Sequence, residues 1–313
     1  MAEISIIIPI YNEEGNIQIL HDRLCNVIEG ITNSFELIFV NDGSKDASIT
    51  LIKALAAKDY RVRYLDFSRN FGHQIAVSAG LDHAKGESVV IIDADLQDPP
   101  ELIAEMYAKM KEGYQVVYAK RRQRQGETFL KTFTAKMFYR ILKKITSINI
   151  PVDTGDFRIM DKKVVDVLNN MPERNKFLRG QISWIGFNQT YVEYDRDERF
   201  AGKTGYTYRK MLRFAMDGIT SFSNFPLKVA SSLGFIVSGI SFFIMIYSLY
   251  VRFVNGHYVE GWTSLMISVL FLGGIQLICV GIIGEYLSRV SDNVRNRPLY
   301  VVAEGNVEKK KMD

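Results

Sequence analysis

Carboxylates gather at three places in the first hundred residues: Tyr11-Asn12-Glu13-Glu14, Asn41-Asp42-Gly43-Ser44, and Asp93-Ala94-Asp95-Leu96-Gln97-Asp98-Pro99-Pro100. Each alone has an ordinary explanation. Asn-Asp-Gly-Ser is turn chemistry tolerant of positive φ, and Asp98-Pro99-Pro100-Glu101 reads as a helix start with Asp98 as N-cap and Glu101 closing a capping box. What sets them apart is that each follows directly on a short apolar run. Carboxylates crowded at one edge repel one another and hold raised pKa values unless a cation joins them. Oxygen ligands at Asp95 and Gln97, with no His or Cys cluster nearby in sequence, suit Mg²⁺ or Mn²⁺ completed by water and a substrate diphosphate. The histidines (His21, His73, His83, His257) show no ligand spacing and read as structural. Cys25 and Cys279 are too far apart to suggest a metal cluster or a secreted disulfide framework.

The elements that position these motifs follow from periodicity. Apolar runs at Ile4–Ile8, Leu37–Val40, Val62–Phe67, Val89–Ile92 and Val116–Tyr118 are short and rich in branched residues, as buried parallel strands are. Between them Ile17, Leu20, Leu24, Val27 and Ile28 recur at helical spacing, as do Ile52, Leu55 and Ala56, and Ile75, Ala76 and Ala79. This alternation predicts an α/β doubly wound, mostly parallel sheet whose ligand site lies beyond the C-terminal ends of the strands. The three acidic motifs sit at three such ends.

The whole chain has 313 residues with a net charge of +4, and its 47% apolar and 24% charged content excludes a disordered or collagen-like protein. That average hides two stretches without Asp, Glu, Lys or Arg, 229–251 and 261–284. As helices each runs about 35 Å, enough for about 30 Å of hydrocarbon. Arg209, Lys210, Arg213 and Lys228 precede the first span and Arg289, Arg295 and Arg297 follow the second, against Arg252 alone in the connection. The positive-inside rule then predicts a multi-pass protein of the cell membrane with the catalytic domain and both termini cytoplasmic. The expected organisation is a catalytic domain over 1–205, interfacial amphipathic helices over 206–228, spans at 229–251 and 261–284 joined by an external loop at 252–260, and a tail over 285–313. Two basic, aromatic-rich stretches, Lys120–Lys144 and Tyr206–Phe225, suit a surface at headgroup level. Gly274, Gly281 and Gly284 share one helix face that would accept either the first span or a second copy of the chain, a homo-oligomer.

In their order and spacing, Pro9-Ile10-Tyr11-Asn12-Glu13, Val40-Asn41-Asp42-Gly43-Ser44, Asp93 to Glu101, Thr154-Gly155-Asp156-Phe157-Arg158 and the terminal hairpin resemble a family 2 glycosyltransferase. Within it, the chain is similar to the dolichol-phosphate mannosyltransferase-like group and most similar to bacterial polyprenyl-phosphate (bactoprenol) glucosyltransferases. The resemblance implies a GT-A fold, a nucleotide-sugar donor and a polyprenyl-phosphate acceptor. It implies that Pro9, Tyr11, Glu13, Asp42 and Asp93 hold the base and ribose, with Val40 and Ala94 lining the cleft, and that Asp95 and Gln97 bind the metal. Arg121 and Arg199 match family arginines at phosphate, where a bidentate guanidinium suits the oxygens. Asp156 belongs to the active site as base, sugar-hydroxyl acceptor or orienter of Arg158. Two family lysines are replaced, by His73 after Asn70-Phe71-Gly72 and by Gly205, with Lys203 supplying charge from a shifted position.

The implied reaction is inverting hexosyl transfer, glucosyl from UDP-glucose, to undecaprenyl phosphate. The partners expected are the nucleotide sugar, the lipid phosphate and the membrane, with no nucleic acid. Two other functions fit the sequence less well. A processive polysaccharide synthase would need an Arg-Trp acceptor motif, yet neither Trp184 nor Trp262 follows an Arg, and two spans cannot enclose a polymer channel. A non-catalytic module for lipid-sugar flipping has no use for an intact Asp93, Asp95 and Gln97.

Overall fold

The first strand, β1 (Ile4–Ile10), is buried along its entire length. Ile4, Ile6, Ile8 and Ile10 enter one hydrophobic cluster and Ile7 another, because successive side chains of a strand point to opposite faces. The computed structural model describes residues 2–122, 154–195, 225–254 and 261–307. In chain order, α1 (Ile17–Glu29), β2 (Phe35–Asn41), α2 (Ser48–Lys58), β3 (Val62–Phe67), α3 (His73–His83), β4 (Ser88–Ile91), α4 (Leu102–Lys111) and β5 (Val116–Arg121) follow β1. Beyond them come β6 (Thr154–Asp161), α5 (Lys162–Asn169), α6 (Leu178–Ile185), β7 (Gln189–Tyr194), the long helices α7 (Phe225–Val254) and α8 (Trp262–Val294), and β8 (Val302–Gly305).

The strands form one eight-stranded sheet in the order β7-β5-β6-β4-β1-β2-β3-β8. Ile17, Leu20, Leu24 and Ile28 of α1, with Ile52 of α2 and Ile103 and Met106 of α4, cover one face. The other face is covered by α3, whose small residues let it lie close. A Cβ on Gly80 would meet the Ile7 side chain at 2.2 Å, so only glycine fits there.

The five anticipated strands are all present, and β1 to β4 pair in parallel. The fifth differs in its surroundings. β6, read from the sequence only as a motif, inserts between β4 and β5 and runs antiparallel to both. Its buried residues split between the faces, with Phe157 and Ile159 on one and Met160 on the other, which is why an edge-to-edge insertion is stable here. The register pairs Ile91 with Arg158. Continued two residues past the end of β4, it brings Asp93 level with Asp156.

Helix α4 starts differently from the capping-box reading. Its N-cap is Glu101, with no side-chain cap. Glu101 instead accepts two hydrogen bonds from Arg23, and Asp98 is drawn into the interior.

Helices α7 and α8 are long and apolar enough to cross a membrane by length and composition, in windows Phe225–Ile244 and Phe271–Val294. Large side chains such as Phe235, Phe243 and Leu277 face outward. Where the helices touch, Cys279 Sγ lies 3.6 Å from the Ala230 carbonyl. Among the described residues, a Cβ on Gly274, Gly281 or Gly284 would meet nothing within 4 Å. After α8 the chain returns to the sheet, where β8 pairs antiparallel with β3.

Candidate active site

Four strand ends build the site. Past β1, Asn12 adopts φ +56 and its amide donates to Ser44 Oγ at 2.9 Å, while Lys45 N donates back to Asn12 Oδ1 at 2.8 Å. Glu13 N donates to Ser48 Oγ at 3.1 Å. The first two acidic loops are thus stitched together, with Pro9 paired to Val40 in register behind them and both buried. Tyr11, directly after the end of β1, is exposed.

Asp42 is buried and its two oxygens accept from the amides of Phe71 (2.6 Å) and Gly72 (2.9 Å). Burial raises its pKa, with those two amides opposing. Its evident work is to hold the β3–α3 loop. Gly43 makes the approach feasible, since at φ +66 a Cβ would lie 2.6 Å from the backbone of Arg69 and Asn70.

The third loop is strained in the way of functional turns. Leu96, between the two expected metal ligands, has φ +58. Asp95 is buried and accepts from Gln97 N at 3.2 Å, and Ala94 is buried beside it. The Asp93 Oδ1 atom is buried with no hydrogen-bond partner among the described residues. Burial pushes the Asp93 carboxyl up to about 6, His73 opposes, and Asp156, Asp98 and Asp95 add to the rise. His73 Nε2 stands 3.6 Å from Asp93 Oδ1, beyond hydrogen-bond reach, and the three neighbouring carboxylates still raise the Asp93 pKa. A divalent cation relieves such an environment, so the residues fit Mg²⁺ or Mn²⁺. They do not form a closed protein cage, which suits an ion held by one or two protein groups and a diphosphate.

Asp156 is the most connected residue of the site. Arg179 Nε donates to its Oδ1 at 2.7 Å, Gln74 Nε2 donates to its Oδ2 at 3.0 Å, and His73 Nε2 lies 3.1 Å from the same Oδ2. Burial would raise its pKa, but Arg179 and His73 hold it well below the usual range. Burial disfavours the His73 cation, yet Asp93, 3.6 Å away, and Asp156 outweigh it and lift the imidazole to about 9. His73 therefore carries positive charge at neutral pH where the family pattern has lysine. Arg158 is buried, donates to the carbonyls of Gly155 and Asp156, and is lowered by burial to about 10.

Arg121 ends β5 after a register shift between Tyr118 and Lys120, a bulge of the kind that re-aims side chains. Its Nε donates to Tyr194 Oη at 3.2 Å, and a terminal nitrogen lies 3.7 Å from Asp98 Oδ1, which also receives the Tyr194 hydroxyl. Arg199 and Lys203 lie outside the described residues, as do most of the basic stretch after Arg122 and the aromatic-basic segment before Phe225.

The structure thus brings together Asp93, Asp95, Gln97 and Asp156, with Asp42 and Arg121 flanking them. Sequence reasoning missed Gln74, Arg179 and Tyr194, and cast Asp98 and His73 in structural roles. Only His73, at a family lysine position, carried a readable signal.

A mixed sheet that brings carboxylates from the ends of β1, β2, β4 and the start of β6 to one edge, with cations facing them, is a fold of the GT-A type. The chain belongs to Glycosyl transferase family 2, whose profile matches residues 5–168. It is 52% identical to an uncharacterized glycosyltransferase, YkcC, of Bacillus subtilis, over 98% of this chain and 96% of that one. It is 42% identical to the SfII prophage-derived bactoprenol glucosyl transferase of Shigella flexneri, over 97% of this chain and 98% of the relative. Among solved structures it is similar to glucosyl-3-phosphoglycerate synthase from Mycobacterium tuberculosis in complex with Mn²⁺, UDP and phosphoglyceric acid, at 18% identity, covering 70% of this chain and 76% of that one with a TM-score of 0.47.

Proposed function

We propose that this protein transfers a glucosyl group from UDP-glucose to undecaprenyl phosphate at the cytoplasmic face of the cell membrane, with inversion at the anomeric carbon. The observation that carries the reading is the near full-length identity to relatives named bactoprenol glucosyl transferase. The local chemistry agrees with it. Asp95 and Gln97 would hold Mg²⁺ or Mn²⁺, which when bound offsets the charge of the leaving diphosphate. Asp156 holds Arg179 and His73 in place as cations, a preorganised positive wall for phosphate oxygens. Because its pKa is depressed, Asp156 is a poor proton acceptor and serves better as the anchor of these cations. No strong base is needed, since a phosphate monoester with a second pKa of about 6 is already largely ionised at pH 7.

In this reading 229–251 and 261–284 are the bilayer-crossing parts of α7 and α8, and residues 1–205 form the catalytic domain. The 33 residues of α8 make a rod of about 50 Å. That exceeds the hydrocarbon thickness of about 30 Å, so Glu285, Arg289 and Asp292 stand in the cytoplasmic headgroup layer or beyond. The open glycine face of α8 suits a second copy of the chain.

Membranes containing the protein and undecaprenyl phosphate, incubated with a panel of radiolabelled nucleotide sugars, provide the test. Label should enter the organic phase from UDP-glucose and disappear when EDTA is added. Extraction of label from UDP-N-acetylglucosamine or GDP-mannose instead would replace the donor assignment, and no lipid product from any donor would remove the reaction.

A further inference from the structure

At the opposite edge of the sheet from the carboxylates, α1 meets the turn between α2 and β3. His21 and Cys25, one helical turn apart, face Asp59, which caps the C-terminus of α2. His21 Nε2 lies 3.6 Å from Cys25 Sγ and 3.4 Å from Asp59 Oδ2. Among the described residues this is the one group in which three His, Cys, Asp or Glu ligand atoms all lie within 4.8 Å of one another.

We propose that His21, Cys25 and Asp59 form a zinc site that clamps helix α1 to the α2–β3 turn. Tetrahedral zinc with bonds of about 2.0–2.1 Å to nitrogen, 2.0–2.2 Å to oxygen and 2.3 Å to sulfur sets ligand atoms about 3.4–3.6 Å apart, as the two His21 separations are. A shell around the ligands is in place as well. His21 Nδ1 lies 2.9 Å from Asp22 Oδ1, and Asp22 is itself held by Gln18 at 2.9 Å. Cys25, with Asp22 and Asp59, lifts the His21 imidazole to about 9, so zinc must displace the Nε2 proton. With the Nδ1 proton kept on Asp22, the ring then turns its Nε2 lone pair to the ion, the carboxylate–histidine arrangement that orients metal-binding imidazoles. Arg61 donates to the Cys25 sulfur at 3.7 Å and to both oxygens of Asp59, so it fixes both groups beside His21.

The atom types choose the ion. A thiolate with an imidazole selects zinc over Mg²⁺ or Mn²⁺, which take oxygen sets such as Asp95 and Gln97. The fourth position falls to water. On binding, the thiol gives up its proton to solvent, and any proton on Nε2 leaves with it.

The full-length protein in detergent, stripped with a chelator and titrated with Zn²⁺ or Co²⁺, tests the site. The wild type should bind one Zn²⁺ per chain, and its Co²⁺ form should show a thiolate charge-transfer band. Cys25→Ser and His21→Gln should each weaken Zn²⁺ binding by at least about tenfold and abolish the band, whereas Cys279→Ser should keep both. Zn²⁺ should also slow alkylation of Cys25 in the wild type, a readout that does not depend on either variant folding. Equal Zn²⁺ affinity in wild type and Cys25→Ser, or absence of the band with alkylation unchanged by Zn²⁺, would reduce the cluster to a hydrogen-bonded network.

Discussion

Replacing Asp156 by Asn tests the anchor role directly. The carboxylate accepts from Arg179 on one oxygen and from Gln74 and His73 on the other. An amide can keep only one of these sides. Gln74 cannot turn its own amide to compensate, because its Oε1 already accepts from Leu178 N at 3.2 Å. Turning the Asn oxygen toward Arg179 therefore sets two NH₂ groups against each other. Removing one partner of a buried pair costs about 3–5 kcal/mol, and because the Arg179 side chain is 22% exposed the lower end, about 3 kcal/mol, applies. At 2–4 °C per kcal/mol this lowers the unfolding midpoint by about 6–12 °C. Tryptophan fluorescence in detergent would follow it.

The pH profile should change as well. The pKa of His73 is raised in the folded state, so its contribution is complete below the unfolded value of about 6.5 and is lost as pH climbs through about 9. The depressed carboxyl of Asp156 contributes above its unfolded value of about 3.9 and loses this as pH falls through its lower folded value. In Asp156→Asn the share of the acid-side loss owed to this carboxyl should vanish, and the loss at the alkaline end should begin at lower pH, where Asp93 holds the imidazolium without it. An unchanged midpoint with a pH profile matching wild type would refute the argument.

Gly43→Ala should cost about 1–2 kcal/mol for left-handed backbone and about 1–3 kcal/mol for the clash with residues 69 and 70. A variant as heat-stable as wild type would mean that this loop yields easily. Asp95→Asn should abolish glucosyl transfer while leaving the unfolding free energy within about 1 kcal/mol of wild type, as befits a ligand at a strand end, and activity with an unaltered divalent-metal requirement would move the metal elsewhere. For topology, Asn255→Cys should react with an impermeant thiol reagent added outside intact cells and Tyr60→Cys, on the exposed catalytic domain, should not; the reverse pattern would place the donor site on the wrong side of the membrane.

The alternating strands and helices up to β5 were legible because each buried strand writes its own run of branched residues and each helix its own stripe. β6 was not, since Thr154-Gly155-Asp156 opens it with residues that look like a loop and its apolar partners Phe157, Ile159 and Met160 divide between two faces. The same limit hid half of the site. Asp93 and Asp95 announce themselves by local crowding, but Arg179, Gln74 and Tyr194 reach the centre from α6, α3 and β7, and their roles exist only once the antiparallel insertion has been made. Asp98 was misread for a related reason. Its local sequence is that of a cap, and a tertiary bond to Tyr194 overrode the local preference. The His21–Cys25 pair sits at helical i, i+4 spacing yet reads as structural, because its third member, Asp59, lies beyond the end of the next helix and only the fold brings it near.

The final strand closes the molecule in a way that matters to anyone who trims it. β8 is pinned by Lys53 and Tyr64 to Glu304 and by Asn306 to the β3 backbone, and just before it Tyr300 stacks on Phe67 at 5.1 Å. Phe67 in turn meets Phe71, whose amide holds Asp42. A fragment cut ahead of the helices would lose this last strand and bare the rim of β3, an invitation to sheet-to-sheet sticking. It would also slacken the loop that carries His73. The exit of α8 is thus moored, through a seam of three aromatic rings, to the β3–α3 loop whose amides hold Asp42, so losing the last strand would loosen a residue near the other end of the sequence.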